Sequence, residues 1–339
     1  MDYFIGLDGG GSKTICLVAD STGRLLGAGS GGPTNSNFVS ESVIHRSISE
    51  ALGSAWRAGG PPPTSPKVAA ISGPIAYPLA EEIVVRETGA EQVIGVGESE
   101  AAWQAMSPWM DFNYGVTVDA GTGSFAWGFN RDGKGASAGA WGSILGDEGS
   151  GYWIALQAIR AVLRAEDGRE PPTRLQKAIC ESLKIDKVGE LCQLFYRKGM
   201  AQYEVAALSP VVVEVATQGD AKAQSILAEA GQELALAAQA VIRKLEMADD
   251  EFAIIPFGSV FKAGELLLAS FREAILKVAP RAKIVLPRYE SVVGTLLVAM
   301  RQGGVPIDQI LTKIEEELNA EPLVRANSGK GIRIVNDQS

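Results

Sequence analysis

The chain has 339 residues, of which 46% are hydrophobic and 21% are charged, and its formal net charge is −9. This length predicts about two domains, each with enough apolar residues for a core of its own. An acidic chain without a Lys/Arg-rich run is not expected to bind nucleic acid, because such binding needs a basic face. No apolar window approaches the roughly 20 residues of a membrane span, and the N-terminus does not resemble a signal peptide. We therefore expect a cytoplasmic protein with no membrane partner.

The N-terminal part predicts alternating strands and helices. Its elements are expected in this order: strands at 3–7, 15–20 and 24–29, a helix at 41–56, a strand at 68–71, a helix at 79–86 and a strand at 92–96. Two short turns join the first three strands, and the later strand-helix-strand order is typical of a β-α-β unit.

A second strand-rich block opens near residue 115 and is similar to the first. The rest of the chain predicts strands at 115–119, 125–129, 252–257 and 284–286, and helices through most of 152–247 and at 262–271, 291–300 and 307–318. The repeated strand, loop, strand and turn unit suggests a duplicated fold of the α/β class. We expect an N-terminal domain at 1–114 and a C-terminal domain at 115–304 with a helical insertion, while a last helix near 305–320 packs back on the first.

Two loops rich in glycine, each preceded by a carboxylate, are candidates for binding phosphate. The first follows Asp8 and consists of Gly9, Gly10, Gly11, Ser12, Lys13 and Thr14. The second follows Asp119 and consists of Gly121, Thr122, Gly123 and Ser124. Glycines let backbone N–H groups approach phosphate oxygens, and Asp8 could hold Mg²⁺ through water.

The first loop fits neither of two familiar phosphate motifs. In the Walker A pattern a lysine follows the second glycine directly, whereas here Ser12 separates Gly11 from Lys13. Both Walker A and the dinucleotide fingerprint lead into a helix, but residues 15–20 have a strand pattern. One such loop alone is equally well explained as a plain hairpin. Two of them, one in each domain, predict that a triphosphate is bound from both sides of a cleft.

A third candidate is the turn at Gly258 and Ser259, which lies between a strand and a helix. It could pack on a purine ring, or it could be an ordinary βα turn.

These residues resemble the N-acetylglucosamine kinase and BadF/BadG/BcrA/BcrD-type ATPase family over roughly 3–300. The most specific match is 139–153, which contains Trp-Gly followed by Gly-Asp-Glu-Gly-Ser. The glycine loops and the turn at 257–261 look like the phosphate and adenosine motifs of the family. The resemblance implies two actin-like (ribonuclease H-like) domains with mixed sheets flanked by helices. It also implies an active-site cleft between them for ATP, Mg²⁺ and an amino-sugar, and a homodimer.

The resemblance also implies roles for individual residues. The sugar site would consist of Asn35, Trp141, Gly142 and Asp147. From the sequence alone, Trp141 could instead be a core residue and Asp147 a helix N-cap. Glu98 stands where the family has its catalytic aspartate, and its extra methylene moves the carboxylate by about 1 Å. Glu100 is a weaker alternative base.

Asp119 lies where the kinase members have an apolar or small residue. It resembles the acid in the second phosphate loop of actin and Hsp70, which serves Mg²⁺ and the water that attacks ATP. We therefore expect a kinase that phosphorylates an amino-sugar such as N-acetylglucosamine or glucosamine. The alternatives are an ATPase or switch protein without a sugar substrate, and a degenerate sugar or nucleotide sensor. Cys16, Cys180 and Cys192 lack the spacing of an iron–sulfur site, which argues against an electron-transfer activator.

Overall fold

The computed structural model describes residues 1–59, 64–326 and 333–334. Its first elements are β1 (Tyr3–Gly9), β2 (Thr14–Asp20), β3 (Leu25–Gly31), α1 (Glu41–Gly59), β4 (Val68–Ser72), α2 (Tyr77–Thr88), β5 (Gln92–Val96) and α3 (Glu98–Gln104). Then follow β6 (Gly115–Ala120), β7 (Ser124–Phe129), β8 (Gly135–Gly139), α4 (Gly151–Glu166), α5 (Leu175–Leu183), α6 (Glu190–Gln193), α7 (Gln202–Ala206), α8 (Ser209–Thr217) and α9 (Ala221–Lys244). The last are β9 (Ala253–Phe257), α10 (Glu265–Val278), β10 (Lys283–Leu286), α11 (Ser291–Gln302), α12 (Ile307–Ala320) and β11 (Arg333–Ile334).

These elements divide into two compact units. The described parts of Met1–Phe112 and Leu286–Arg333 form unit 1, and Asn113–Val285 forms unit 2 together with Ile334. Unit 2 therefore begins near the predicted boundary at 114/115, but it ends at residue 285, whereas the predicted C-terminal domain ends at 304. The reason is that α11 packs on β1, β4 and α3, so it belongs to unit 1.

Unit 1 is built on a five-stranded sheet in the order β3-β2-β1-β4-β5. β2 is antiparallel to β1 and β3, whereas β1, β4 and β5 are parallel to one another. Successive side chains of β1 enter different cores, since Phe4 packs in the cluster with α11 and α12 and Ile5 packs in the cluster with α1 and α2. Both faces of the sheet are covered, which explains why β1 and β2 read as continuous apolar runs.

Helix α1 lies unusually close to β3, and three alternate glycines of β3 make this possible. A Cβ atom on Gly27, Gly29 or Gly31 would stand 1.9–2.1 Å from a backbone oxygen of α1. Because no side chain fits there, this close packing of α1 on β3 requires glycine at all three positions. The segment that follows β3 contains the predicted sugar-binding residue Asn35.

Unit 2 is built on a sheet in the order β11-β10-β9-β6-β7-β8. β6, β7 and β8 are consecutive antiparallel strands, and β6 is parallel to β9, as β9 is to β10. The arrangement of β6–β8 repeats that of β1–β3, so the predicted duplication is present in the structure. Helices α4 to α8 follow β8 in the chain and occupy the region of the predicted helical insertion. No helix within the described ranges has the length and apolar character that crossing a membrane requires.

Candidate functional site

The first glycine loop is a hairpin between two strands of unit 1. The Gly10 N–H donates to the Lys13 carbonyl at 2.9 Å and closes the turn. A Cβ atom on Gly9 would lie 2.2 Å from Oγ1 of Thr34, so no larger residue fits without a shift. Gly73 has φ of +106° and packs on the other side of Gly9, where a Cβ atom would stand 1.8 Å from the Gly9 carbonyl oxygen. The loop is therefore held in shape by neighbours on both sides.

Asp8, at the end of β1, is held by two serine hydroxyls. Ser72 donates to its Oδ1 at 2.6 Å, and Ser291 donates to its Oδ2. Ser72 also lies 2.8 Å from the hydroxyl of Thr295. Burial raises the pKa of Asp8 above its usual range, and the two serine hydrogen bonds oppose that rise. Each carboxylate oxygen keeps a lone pair, so Asp8 can still bind a water molecule of a hydrated cation.

Lys13 is the cation of the first glycine loop. Its Nζ lies 3.5 Å from Oε1 of Glu290, and about half of its side chain is exposed. The exposed ammonium can therefore turn towards an anionic ligand, because the ion pair with Glu290 is long and its lysine side is open to solvent.

Glu98 is the first residue of α3, and only Gly97 separates it from β5. Burial and the charge of Asp8 raise the pKa of Glu98 to about 7. The two carboxyl groups therefore lie in one electrostatic neighbourhood, where they disfavour each other's ionisation. A carboxylate with a pKa near 7 is well matched to accept a proton at neutral pH. Glu100, the weaker alternative base, is exposed on the same helix.

Asn35 lies in a loop that is tied to the first glycine loop. The N–H of Thr34 donates to the Gly10 carbonyl at 3.0 Å, and the Ser36 N–H donates to the Pro74 carbonyl at 3.1 Å. Asn35 itself accepts the Asn37 N–H on its Oδ1 at 3.0 Å, which forms an Asx turn. Unit 1 thus brings together Asp8, the first loop, Asn35 and Glu98.

The second glycine loop joins β6 to β7 in unit 2. The Gly121 N–H donates to the Gly123 carbonyl at 3.0 Å, and the Gly121 carbonyl accepts the Gly151 N–H from the start of α4 at 2.8 Å. Asp119 precedes this loop, and its Oδ1 lies 4.0 Å from the position that a Cβ atom on Gly121 would take. The carboxylate that the sequence associates with the second loop is therefore beside it.

The third motif lies next to the second loop. Gly258 has φ of +101°, and a Cβ atom on it would stand 2.5 Å from the carbonyl oxygen of Ala120 at the end of β6. Ser259 then begins a short 3₁₀ helix at Ser259–Ala263. Only glycine allows this strand end to approach β6 so closely.

Asp147 is buried at the base of the loop between β8 and α4. The backbone N–H groups of Ser124 and Gly142 donate to its carboxylate, and Nε2 of Gln202 donates to its Oδ2 at 3.3 Å. Burial raises the pKa of Asp147 above its usual range, although these hydrogen bonds oppose the rise. A Cβ atom on Gly123 would lie 2.8 Å from the same Oδ2, so the carboxylate is also packed against the second glycine loop.

Both structural alternatives for this segment are wrong. The N-cap of α4 is Ser150, whose side chain accepts the Trp153 N–H, and Asp147 does not cap the helix. Trp141 is 72% exposed and is not a core residue; Ile144 and Leu145 beside it are 92% and 78% exposed. The same loop thus presents an indole to solvent and contains a buried carboxylate, two groups that suit a ligand with an apolar face and hydroxyl groups.

Four polar residues near these groups escape sequence reasoning. They are Ser72, Gln202, Glu290 and Ser291. Ser72 is the last residue of a strand and Ser291 is the first residue of a helix. A hydroxyl at the end of an element is the sequence feature that could have identified these two residues. Gln202 has no such signal.

Comparisons with known proteins agree with this architecture. A model of the BadF/BadG/BcrA/BcrD ATPase family matches residues 5–299. An N-acetylmuramic acid/N-acetylglucosamine kinase from Clostridium acetobutylicum is 31% identical over 304 residues, which are 88% of this chain and 98% of that protein. An N-acetyl-D-glucosamine kinase from Dictyostelium discoideum is 29% identical over 315 residues, which are again 88% of this chain and 98% of that protein.

A solved structure from Chromobacterium violaceum, provisionally named an N-acetylglucosamine kinase, has the same fold. It superposes with a TM-score of 0.70 at 24% identity, covering 88% of this chain and 99% of its own. The predicted fold class, two actin-like domains with mixed sheets flanked by helices, is confirmed.

Proposed function

Because this chain belongs to the BadF/BadG/BcrA/BcrD ATPase family, we propose that it transfers the γ-phosphoryl group of ATP to a hydroxyl of an amino-sugar. N-acetylglucosamine and glucosamine are the candidate acceptors, and N-acetylglucosamine is favoured of the two because the two curated relatives are named as kinases of N-acetylated amino-sugars. The observation that carries the proposal is the environment of Glu98. This half-buried carboxyl group lies in the electrostatic neighbourhood of Asp8, and its own pKa is raised to about 7. An ATP-dependent sugar kinase needs such a base for the acceptor hydroxyl.

We assign the phosphates of ATP to the two glycine loops. Backbone N–H groups and hydroxyls of these loops donate to phosphate oxygens, and Lys13 adds a positive charge. Asp8 would hold Mg²⁺ through water, and the ion would neutralise phosphate charge when bound. Gly258 and Ser259 are assigned to the adenosine, and Asp119 to the γ-phosphate side of the second loop.

We assign the sugar to Asn35, Trp141, Gly142 and Asp147. The carboxylate and the amide bind hydroxyls through paired hydrogen bonds, and the exposed indole stacks on the apolar face of the ring. Glu98 removes the proton of the acceptor hydroxyl as its oxygen forms a bond to the γ-phosphorus. The bond from that phosphorus to the β–γ bridging oxygen breaks, and ADP leaves with the electron pair.

A sugar panel tests this proposal. Purified protein with Mg²⁺ and ATP should release ADP only when an amino-sugar is added, and mass spectrometry should detect the sugar phosphate. Glu98→Gln should lower kcat by about 10²–10⁴-fold because it removes the base. Glu100→Gln changes an exposed carboxylate two residues away and is the matched control. ADP release that no sugar stimulates would count against the kinase and in favour of an ATPase, in which case Asp119→Asn should lower the basal rate.

The proposal extends to assembly and location. We also propose a cytoplasmic location. The family resemblance implies a homodimer, which analytical ultracentrifugation of the purified protein tests.

A further inference from the structure

Asp147 adopts a left-handed backbone conformation, which is uncommon for residues other than glycine, although aspartate is among the types that tolerate it best. Its φ is +59° although it is not glycine, and only 6% of its surface is exposed. Such a conformation persists only where neighbouring contacts impose it, and it is concentrated at functional sites. The contacts that impose it here are those of the carboxylate with Ser124, Gly142 and Gln202.

Gln202 differs from the other two donors because it reaches Asp147 from the helical insertion. It is the first residue of α7 and is 8% exposed. A carboxylate can only accept hydrogen bonds, so the amide must present Nε2 to Asp147 and turn Oε1 away. That Oε1 is buried and has no hydrogen-bond partner in the part of the chain that the structure describes.

An unpaired buried oxygen destabilises the folded protein, so stability does not explain this glutamine. A methionine has a similar length and would fill the same space without the unpaired oxygen. What the glutamine adds is one directional hydrogen bond to a charged group, which restricts the rotation of the Asp147 carboxylate. Gln202 therefore lowers the stability of the fold through its unpaired oxygen, and in return its amide orients the Asp147 carboxylate.

We propose that Gln202 is a positioning residue, which orients the Asp147 carboxylate for the sugar acceptor. This inference rests on the proposed function, in which Asp147 binds sugar hydroxyls. Through Gln202, the helical insertion affects the affinity for the sugar far more than the affinity for ATP.

The test compares two glutamine-to-methionine variants. Gln202→Met should raise KM for the sugar about tenfold, which corresponds to about 1.4 kcal/mol, and should leave KM for ATP within about twofold. Its Tm should equal or exceed that of the wild type, because the unpaired oxygen is gone. Gln239→Met is the matched control: Gln239 is also buried in unit 2, but its Nε2 donates to the Ala274 carbonyl at 2.8 Å. This variant should lower Tm and leave the sugar KM unchanged.

A sugar KM for Gln202→Met equal to that of the wild type would overturn the inference. So would a lower Tm with equal increases in both KM values, since that pattern indicates a structural role. If the wild type phosphorylates no sugar, the proposed function fails. Hydrogen–deuterium exchange then tests whether Gln202 orients the Asp147 carboxylate. Peptides that contain the amides of Ser124 and Gly142 should exchange faster in Gln202→Met than in Gln239→Met, and equal exchange would refute the inference.

Discussion

Replacing Glu98 by glutamine should stabilise the protein at neutral and alkaline pH while it greatly lowers kcat. Folded Glu98 has a pKa of about 7, whereas the ordinary value is 4.5. Between these two values the folded protein holds a proton that the unfolded chain has released. The free energy of unfolding therefore falls as the pH rises through this window, and the loss is complete above pH 7.

The size of the effect follows from the difference between the two pKa values. One pKa unit corresponds to about 1.4 kcal/mol, so the ionised carboxylate costs up to about 3 kcal/mol of stability above pH 7. Glutamine has nearly the same shape and no charge. It also removes the repulsion between the Glu98 and Asp8 carboxylates, and this change acts in the same direction. Catalytic groups often destabilise the fold in this way.

Urea unfolding at several pH values, followed by circular dichroism, measures the difference. Glu98→Gln should match the wild type near pH 4.5 and exceed it by about 1–3 kcal/mol at pH 8. Glu100→Gln, which replaces an exposed carboxylate of the same helix, should stay within about 0.5 kcal/mol at both values. A Glu98→Gln variant that is less stable than the wild type at pH 8, or whose advantage does not change with pH, would refute this reasoning.

Three further predictions concern activity and the first glycine loop. The kcat/KM of the wild type should fall about tenfold per pH unit below pH 7, because Glu98 must be ionised to act as the base; a flat profile between pH 5 and 8 would contradict this role. Ser291→Ala removes one of the two donors to the carboxylate that ends β1 and should raise the Mg²⁺ concentration for half-maximal rate about 3–10-fold. Ser49→Ala removes a serine–carboxylate hydrogen bond elsewhere in unit 1 and should not change this concentration. Gly9→Ala should lower the free energy of unfolding by about 1–3 kcal/mol, since its Cβ atom would overlap a threonine hydroxyl 2.2 Å away. Gly10→Ala meets its nearest neighbour at 3.4 Å and should fold normally with a higher KM for ATP; thermal melts that rank the two variants the other way would contradict this.

The helices and strands were largely predictable because each is determined by a local pattern. The apolar runs of β1 and β2 surround glycines, and the structure places a hairpin there. Periodicity also predicts α1, α2, α11 and α12 to within a few residues of their observed bounds. β8 was not predicted, since its five residues are glycines, alanines and serine, which have little preference for strands.

The assignment of α11 to a unit shows what local pattern cannot supply. Small and apolar residues predict the helix, but they do not identify the sheet on which it packs. In the structure, a Cβ atom on Gly294 would stand 1.8 Å from the Ala101 carbonyl oxygen of α3, and one on Gly6 would stand 2.6 Å from the Leu296 nitrogen. These contacts join segments that are almost 200 and 300 residues apart. They place α11 in unit 1, where the sequence pattern places it in the second domain.

The sequence by itself determined the chemical groups of this protein: two glycine loops led by carboxylates, a glutamate at the start of a helix, and a Trp-Gly-to-Asp segment. It did so because these groups are consecutive or nearly consecutive in the chain. Only the tertiary structure decided their environment. Asp8 receives its hydroxyl donors from residues 64 and 283 positions away, and Asp147 receives the amide of a residue 55 positions away. Ionisation and orientation depend on burial and on such distant partners, and these exist only once the chain has folded.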